Sequence, residues 1–386
     1  MAFTVASLGA SAMNYLFQVH AAAVLDAREF GLLSAWLAIV TAFGAVVTFV
    51  QFLSLEARLD DARWPSVARL AGFGALVVLA LHLVSGARAS PAALGVTSVI
   101  GGIAAAALVG QLQARLALGI IGVAMLATTA VRFGLPFGWP RDARASGFYL
   151  GHAASPYAGM VVVGIFALGR SRGGAAAARE SSAEPRERVR LARPMILGLA
   201  TAVFPYVDVL AVSATQDAAT TGELSRIVLV SRAIFYGGLA AFGVLFPHQL
   251  HAATRGEPMP PFAVLLERLL PLAVVAGAVP AAWVLDRAVL HTHGELTTWL
   301  YASSLGGATT VAVLGEANRL AARGRLRAAA ASVGGVLLAS AAAAATSLGG
   351  STSEEQVTRY TAVAFACNAV VLVAARAARG GERGLR

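Results

Sequence analysis

The sequence of 386 residues is poor in charge, with only 13% of its residues charged. Soluble domains carry roughly 25%. Its single cysteine excludes an internal disulfide, and Cys367 lies in an apolar run. Walker and Rossmann glycine motifs, paired catalytic carboxylates and the spacing of a Ser-His-Asp triad are missing as well. These absences exclude a soluble enzyme, a disordered tail and a secreted disulfide scaffold.

What the sequence does contain is apolar surface. Hydrophobic residues make up 58% of the chain, and the mean hydropathy is +0.71. A chain of this composition needs a lipid solvent, because so much apolar surface cannot be buried in one small core. We therefore expect a polytopic membrane protein.

Apolar runs long enough to cross a bilayer recur along the whole chain. They are rich in Ala, Gly, Leu and Val and show no alternation, which favours helices over a barrel. The composition predicts an all-α protein with about twelve transmembrane helices, at residues 3–24, 30–54, 66–84, 91–112, 117–137, 147–169, 194–214, 225–247, 262–284, 296–316, 326–347 and 356–375.

The positive charge of the chain indicates its orientation. The net charge is +10, and all 30 basic residues are arginine. These arginines lie in short loops, so we expect no nucleic-acid partner. With the N-terminus inside, 21 of the 30 arginines lie at the inner side, about seven at the outer side and two within spans. The positive-inside rule then predicts a multi-pass protein with both termini in the cytoplasm.

The chain contains a short internal repeat. The pattern D-A-x-x-x-G-x-L-S occurs at residues 26–34 and again at 217–225, an offset of 191 residues that is close to half the length. Each copy lies between the first and second spans of its half. This placement predicts two parallel six-helix lobes, which rock to expose a central cavity to each side in turn. We expect an N-terminal lobe at 1–170, an Arg-rich cytoplasmic linker at 171–193, a C-terminal lobe at 194–376 and a cytoplasmic tail at 377–386.

Several short motifs resemble one family of membrane proteins. They are N-Y-L-F-Q at residues 14–18, E-F-G-L-L-S at 29–34, Q-L-Q at 111–113, D-V-L at 208–210, Gly222 and L-F-P at 245–247. In these motifs and in its topology the chain resembles bacterial polysaccharide transporters, the oligosaccharidyl-lipid flippases of the multidrug/oligosaccharidyl-lipid/polysaccharide (MOP) exporter superfamily. It departs from that family in the turn before Phe30 and after Gly222, and it is short.

The resemblance implies a function in the bacterial cytoplasmic (inner) membrane. It implies that the protein flips a polyprenyl-pyrophosphate-linked oligosaccharide by alternating access, for cell-surface polysaccharide biosynthesis. The partners would be this lipid-linked substrate, the bilayer and a polysaccharide polymerase or assembly machinery. We expect no enzymatic activity, no metal and no ATP site, with Na⁺ or H⁺ as the coupling ion. The alternatives are a multidrug-type cation antiporter of the same fold and a membrane-embedded polysaccharide ligase or polymerase.

Two arginines lie within predicted spans. Arg232 is about seven residues into span eight, and Arg132 is near the outer end of span five. An arginine inside a membrane faces the bundle interior or snorkels to the interface. Its planar guanidinium suits a pyrophosphate, because it donates two parallel hydrogen bonds. Arg232 is expected to face the cavity or to pair with an acid, whereas for Arg132 snorkelling remains the alternative.

The other candidates for the cavity are polar or aromatic. Asp208 in span seven is expected to form a structural ion pair, bind the coupling ion or contact sugar hydroxyls. Asn14 and Gln18 lie on one face of span one, and they bond either sugar hydroxyls or other helices. Tyr206 and Tyr236 either stack on sugar rings or anchor helix ends. The motif H-T-H-G-E at residues 291–295 is expected to be a solvated loop, and four Gly-Gly pairs are expected to be helix-packing or bending sites.

Overall fold

The structure, a computed structural model, is helical throughout the residues that it describes. Almost all of those residues are in helices, and none of them is in a β-strand. The described residues are 2–44, 46–47, 50–51, 64–84, 89–114, 117–140, 143–171, 206–214, 216–238, 258–259, 261–287, 295–322, 325–347, 362–363, 366–368, 370–371 and 373–374.

The helices follow the predicted spans in chain order. They are α1 (Ala2–Val24), α2 (Ala27–Ala42), α3 (Trp64–Val84), α4 (Ala89–Ala114), α5 (Leu118–Gly138), α6 (Arg144–Ser171), α7 (Val207–Ser213), α8 (Ala218–Ile227), α9 (Pro261–Leu285), α10 (Glu295–Ala322) and α11 (Leu326–Ser347). Short helical stretches at 229–238 and within 362–374 fall in spans eight and twelve. Residues 172–193 of the predicted linker and all of the predicted tail lie outside the described residues.

Several helices extend beyond the apolar runs that predicted them. α2 begins at Ala27 instead of residue 30, α8 begins at Ala218 instead of residue 225, and α10 ends at Ala322 instead of residue 316. An apolar run marks only the part of a helix that suits hydrocarbon, whereas the backbone hydrogen bonds continue through polar turns. The first turns of α8 are such a case, since they read A-A-T-T-G-E.

Among the described residues, three helical segments are long and apolar enough to cross a membrane: Ser90–Leu112, Gly119–Gly138 and Arg144–Phe166. Two shorter apolar helices occupy Ala71–Ala80 and Leu272–Val284. Large apolar side chains on these segments are exposed, for example Phe73, Val161 and Leu272. Apolar side chains turned outward suit lipid surroundings rather than water.

The chain divides into two compact units. The first contains Met1–Ala21 and Trp36–Ala202, and in it α5 packs on α6, α3 on α4 and α4 on α6. The second contains Ala22–Ala35 and Val203–Arg386, and in it α10 packs on α9 and α11. The end of α1 and the first half of α2 thus belong to the same unit as α8. This division falls inside α2.

Both copies of the internal repeat begin with an aspartate that caps a helix. The backbone N–H of Glu29 donates to the Asp26 carboxylate at 2.7 Å, and the N–H of Thr220 donates to the Asp217 carboxylate at 2.8 Å. Such a cap satisfies a backbone donor that the first helical turn leaves without a partner. The repeated aspartate is therefore a helix N-cap in both copies.

The Asp217 cap predicts a pH dependence of stability. The hydrogen bond from the Thr220 backbone holds the pKa of this exposed carboxyl below its usual value. Because the Asp217 pKa is lower in the folded than in the unfolded protein, the ionised carboxylate stabilises the folded state. This stabilisation is complete above the pKa of the unfolded state and is lost as the pH falls through the pKa of the folded state. We expect Asp217→Asn to lower the thermal unfolding midpoint at neutral pH by a few degrees and to shrink the further drop on acidification. Glu223→Gln, a change of an exposed acid on the same helix, is the control. Parallel pH profiles for wild type and Asp217→Asn would contradict the prediction.

The four Gly-Gly pairs that lie within predicted spans are packing sites, as predicted. They are at residues 101–102, 237–238, 306–307 and 334–335. In each pair, one glycine lies so close to a neighbouring helix that a methyl group added to it would clash with a residue of that helix. These contacts are Gly101 with Tyr157, Gly238 with Val311, Gly307 with Ser231 and Gly335 with Val371. At Gly237, Gly306 and Gly334 the same methyl group would meet nothing within 4 Å. One member of each pair allows close helix packing.

Candidate functional site

Arg232 is the centre of a polar cluster in the second unit. Arg232 lies in the helical stretch 229–238, which follows α8 after a turn at Val228. Its backbone N–H donates to the Val228 carbonyl at 3.1 Å. The residue is only 1% exposed, which makes it the largest fully buried side chain among the described residues. A charge buried to this degree requires polar or aromatic neighbours.

The neighbours of Arg232 come from α7 and from its own helix. A guanidinium nitrogen lies 4.0 Å from a carboxylate oxygen of Asp208, in the first turn of α7. The guanidinium carbon lies 4.5 Å from the centre of the Tyr206 ring, a distance typical of a cation–π contact. The Tyr236 hydroxyl, one turn beyond Arg232, donates to the Tyr206 hydroxyl at 3.5 Å. The structure thus brings four of the predicted site residues together.

The Asp208 carboxylate also has a backbone donor. The Val209 N–H donates to it at 2.7 Å. The Asp208 side chain is 13% exposed, against 2% for Arg232. This cluster therefore contains one acid and one base in contact, with two phenol groups beside them.

Arg132 forms a second polar cluster, in the first unit. It donates from one terminal nitrogen to the Asn14 side-chain oxygen at 2.7 Å, and from Nε and the other terminal nitrogen to the Ser155 hydroxyl at 3.2 and 3.0 Å. These bonds join α5 to α1 and α6. The Arg132 side chain is thus half-buried and hydrogen-bonded to two neighbouring helices.

Ser155 and His152 complete this second cluster, and the sequence prediction had not placed them there. The Ser155 hydroxyl, fully buried, donates to the His152 carbonyl at 2.8 Å. The His152 ring lies edge-on to the Trp36 ring, with 5.4 Å between the ring centroids. The signal in the sequence was weak, since one serine in an apolar span is ordinary.

Asn14 also lines a cavity of about 130 Å³ in the first unit. The cavity lies between α1, α4, α5 and α6. Its walls are mainly apolar, with side chains such as Leu108, Met125 and Val163, and its polar groups include Thr128 and Thr129. Gln18, one turn after Asn14 on α1, is buried at 6% exposure. Ligand pockets usually have a volume of roughly 300–1,000 Å³, so this cavity has room for only a small group.

No group of three or more His, Cys, Asp or Glu side chains that could hold a metal ion occurs in the described part of the chain. Residues 291–294 of the H-T-H-G-E motif lie outside it.

The fold of the chain matches a known transporter structure. A solved structure of a multidrug resistance MATE family transporter of the MOP superfamily, in its inward-facing conformation, aligns over 97% of this chain and 96% of that chain with a TM-score of 0.66 and 10% identity. The two chains share one fold. This chain is accordingly an all-α, polytopic membrane protein with the fold of that structure.

The other comparisons contribute less. The structure of a mutant form of the Vibrio cholerae MATE transporter VcmN aligns over 98% of this chain and 93% of that chain at 13% identity, with a TM-score of only 0.42. No protein family model and no curated protein sequence matches the chain. The fold is thus established by structure alone, and the substrate has to be argued from the residues.

Proposed function

We propose that this protein is a transporter that moves a polyprenyl-pyrophosphate-linked oligosaccharide across the bacterial inner membrane by alternating access. The observation that carries the proposal is the fully buried Arg232, held by Asp208 and the Tyr206 ring inside a transporter fold. A buried guanidinium is costly in a membrane and marks a substrate or ion pathway.

The two arginine clusters suit an anionic head group. Arg132 donates hydrogen bonds to two neutral side chains, those of Asn14 and Ser155. A guanidinium offers a phosphate two parallel, charge-assisted hydrogen bonds. Without such groups, a pyrophosphate would lose several kcal/mol for each polar group left without a partner in hydrocarbon.

The remaining residues of the clusters suit the sugars. The phenols Tyr206 and Tyr236 present both ring faces and hydroxyl groups, and Asn14 and Gln18 present amides. Rings stack on sugar faces, whereas hydroxyls and amides exchange hydrogen bonds with sugar hydroxyls. The flippase requires no covalent chemistry and no ATP, and we expect H⁺ or Na⁺ to couple transport.

Export of small cationic or amphipathic compounds is the second candidate function. It is favoured by the shared fold with a multidrug resistance transporter and by the mainly apolar cavity beside Asn14. A cation exporter needs an embedded acid whose charge is available to the cation. Here Asp208 lies 4.0 Å from Arg232, and the buried Glu316 lies 3.9 Å from Arg319. Both acids therefore lie beside an arginine, whose positive charge disfavours a cation at either of them.

Native mass spectrometry of the protein, extracted gently from its own membrane, tests the proposal. We expect co-purified masses of a polyprenyl-pyrophosphate saccharide, which added polyprenyl pyrophosphate displaces and tetraphenylphosphonium does not. The measurement is repeated in cells that accumulate the lipid-linked intermediate. Phospholipid alone, together with saturable binding of tetraphenylphosphonium, would instead support the cation exporter.

A further inference from the structure

The cavity of the first unit has a polar end beside Arg132. Arg132 on α5 donates to Asn14 on α1 and to Ser155 on α6. One helical turn from these residues, Thr128 on α5 faces Gly159 on α6, where an added methyl group would lie 2.6 Å from the Thr128 hydroxyl oxygen. Asn14, Thr128 and Gly159 all line the cavity. The cavity therefore begins directly next to the Arg132 cluster.

The opposite end of the cavity is apolar. Val163 lies one turn beyond Gly159 on α6, and Ala124 lies one turn before Thr128 on α5. Such walls hold an alkyl group rather than a polar one, because they offer it no hydrogen bonds. Further apolar side chains of α4 and α5 complete the walls, among them Ala105, Leu108 and Met125.

The polar end has the chemistry of an anion site. The Asn14 side-chain oxygen accepts from Arg132, so the group that Asn14 can offer to a ligand is its NH₂, a donor. The hydroxyls of Thr128 and Thr129 donate to carbonyls of their own helix, and a hydroxyl can rotate to donate to a ligand instead. The described residues of the first unit include neither Asp nor Glu. An anion at this end thus meets a guanidinium close by and no carboxylate among the described residues.

The volume of the cavity limits the size of its ligand. The cavity has about 130 Å³. A water molecule takes about 30 Å³ of liquid volume, and an engineered apolar cavity of about 150 Å³ holds a benzene molecule. A ligand of about four to six non-hydrogen atoms therefore fits, and a saccharide is too large.

We propose that this cavity is a binding site for a short-chain carboxylate such as propionate, with the carboxylate at Asn14 beside Arg132 and the alkyl group among the apolar walls. An amphipathic monoanion of this size matches both ends of the cavity at once. A halide would leave the apolar end unfilled, and a cation would be repelled by Arg132. The inference goes beyond the proposed function, since the lipid-linked saccharide takes no part in it.

Saturation-transfer difference NMR on the whole protein, in nanodiscs of zwitterionic lipid at neutral pH, tests this site. The probes are propionate, propionamide and propylammonium, which are similar in size and differ in charge, and empty nanodiscs give the background. We expect saturable binding of propionate with a Kd in roughly the millimolar range. Propionamide and propylammonium are expected to bind at least about tenfold more weakly. Equal binding of the three probes, or no binding of propionate, would overturn the site.

The length of the alkyl chain is the second variable. From formate through acetate to propionate, each added CH₂ group is expected to strengthen binding by up to about fourfold, because it fills the apolar end. Hexanoate is expected to bind more weakly than propionate, since its chain exceeds the cavity. An affinity that does not depend on chain length would contradict the proposal.

A matched pair of α4 variants locates the ligand. Ala105→Leu fills the apolar end, so we expect it to weaken propionate binding about tenfold or more and to leave formate binding largely unchanged. Ala93→Leu makes the same change at an exposed position of α4 and is expected to alter neither. Propionate binding of wild-type strength in folded Ala105→Leu would place the ligand elsewhere and overturn the site.

Arg132→Gln tests the charge at the polar end. We expect this variant to bind propionate about tenfold or more weakly, and no better than propionamide. If Arg132→Gln or Ala105→Leu does not fold, the charge series and the chain-length series on the wild type decide. Because these measurements contain no saccharide lipid, a protein that binds propionate but no saccharide lipid would refute the flippase and keep the carboxylate site.

Discussion

Replacing Arg232 by glutamine is expected to reduce transport of the lipid-linked saccharide roughly 100-fold or more, while the protein still inserts into the membrane. The guanidinium is 1% exposed and is held by Asp208 and the Tyr206 ring, so no neighbouring charge can take its place readily. Glutamine keeps part of the hydrogen-bonding capacity and removes the charge that an anionic head group would bind. The measurement is flipping of a fluorescent polyprenyl-pyrophosphate saccharide in proteoliposomes, normalised to the amount of folded protein.

Two further variants show what the effect of Arg232→Gln means. Arg287→Gln removes an exposed arginine at the end of α9 and is expected to leave transport unchanged. Arg232→Lys keeps the charge and loses the planar fork, so we expect partial transport. Full transport by Arg232→Gln at a normal protein level would remove this residue from the site.

The helices were predictable from the sequence because a membrane span has a simple requirement. Roughly twenty apolar residues have to follow one another, and that pattern is local. Helical residues occur in all twelve predicted spans. The ends were less predictable. The Asp217 cap lets α8 begin at Ala218, seven residues before its apolar run. A cap depends on single polar residues, which a search for apolar runs passes over.

The candidate site was predictable in its residues and less so in its geometry. An embedded charge is rare enough to be noticed in a sequence, which is why Arg232, Asp208 and Arg132 were candidates. Their partners depend on how helices rotate and pack. The bond from Arg132 to Asn14 joins residues 118 positions apart, and nothing local in the sequence indicates it. For the same reason the sequence left open whether Arg132 snorkels.

The internal repeat was visible in the sequence, but the contact between its two copies was not. The matching letters at residues 26–34 and 217–225 indicated that the two segments are related. They did not indicate that the segments touch, since related segments in parallel repeats usually occupy equivalent places in separate lobes. The collision of an added methyl group on Gly31 with the Ala218 carbonyl oxygen is information that only the three-dimensional structure holds.

Replacing Asp208 by asparagine is expected to destabilise the protein by about 3 kcal/mol, because it leaves the buried charge of Arg232 without its opposite charge. The carboxylate lies 4.0 Å from the guanidinium and is itself mostly buried. In the double variant Asp208→Asn, Arg232→Gln neither charge remains, so we expect it to be more stable than Asp208→Asn alone. The measurement is thermal unfolding in detergent of wild type, both single variants and the double variant, with Glu223→Gln as an exposed control.

This double-mutant cycle separates the two roles that Asp208 could have. A coupling energy between the two residues, with transport absent from the stable double variant, identifies Asp208 as the partner that holds Arg232 for the substrate. Strictly additive effects would show that the contact at 4.0 Å contributes nothing to stability. If Asp208→Asn then stayed folded and lost only the dependence of transport on H⁺ or Na⁺, Asp208 would be the site of the coupling ion. The stability and the ion dependence of these variants are independent readouts, so a structural acid and a coupling acid give different results.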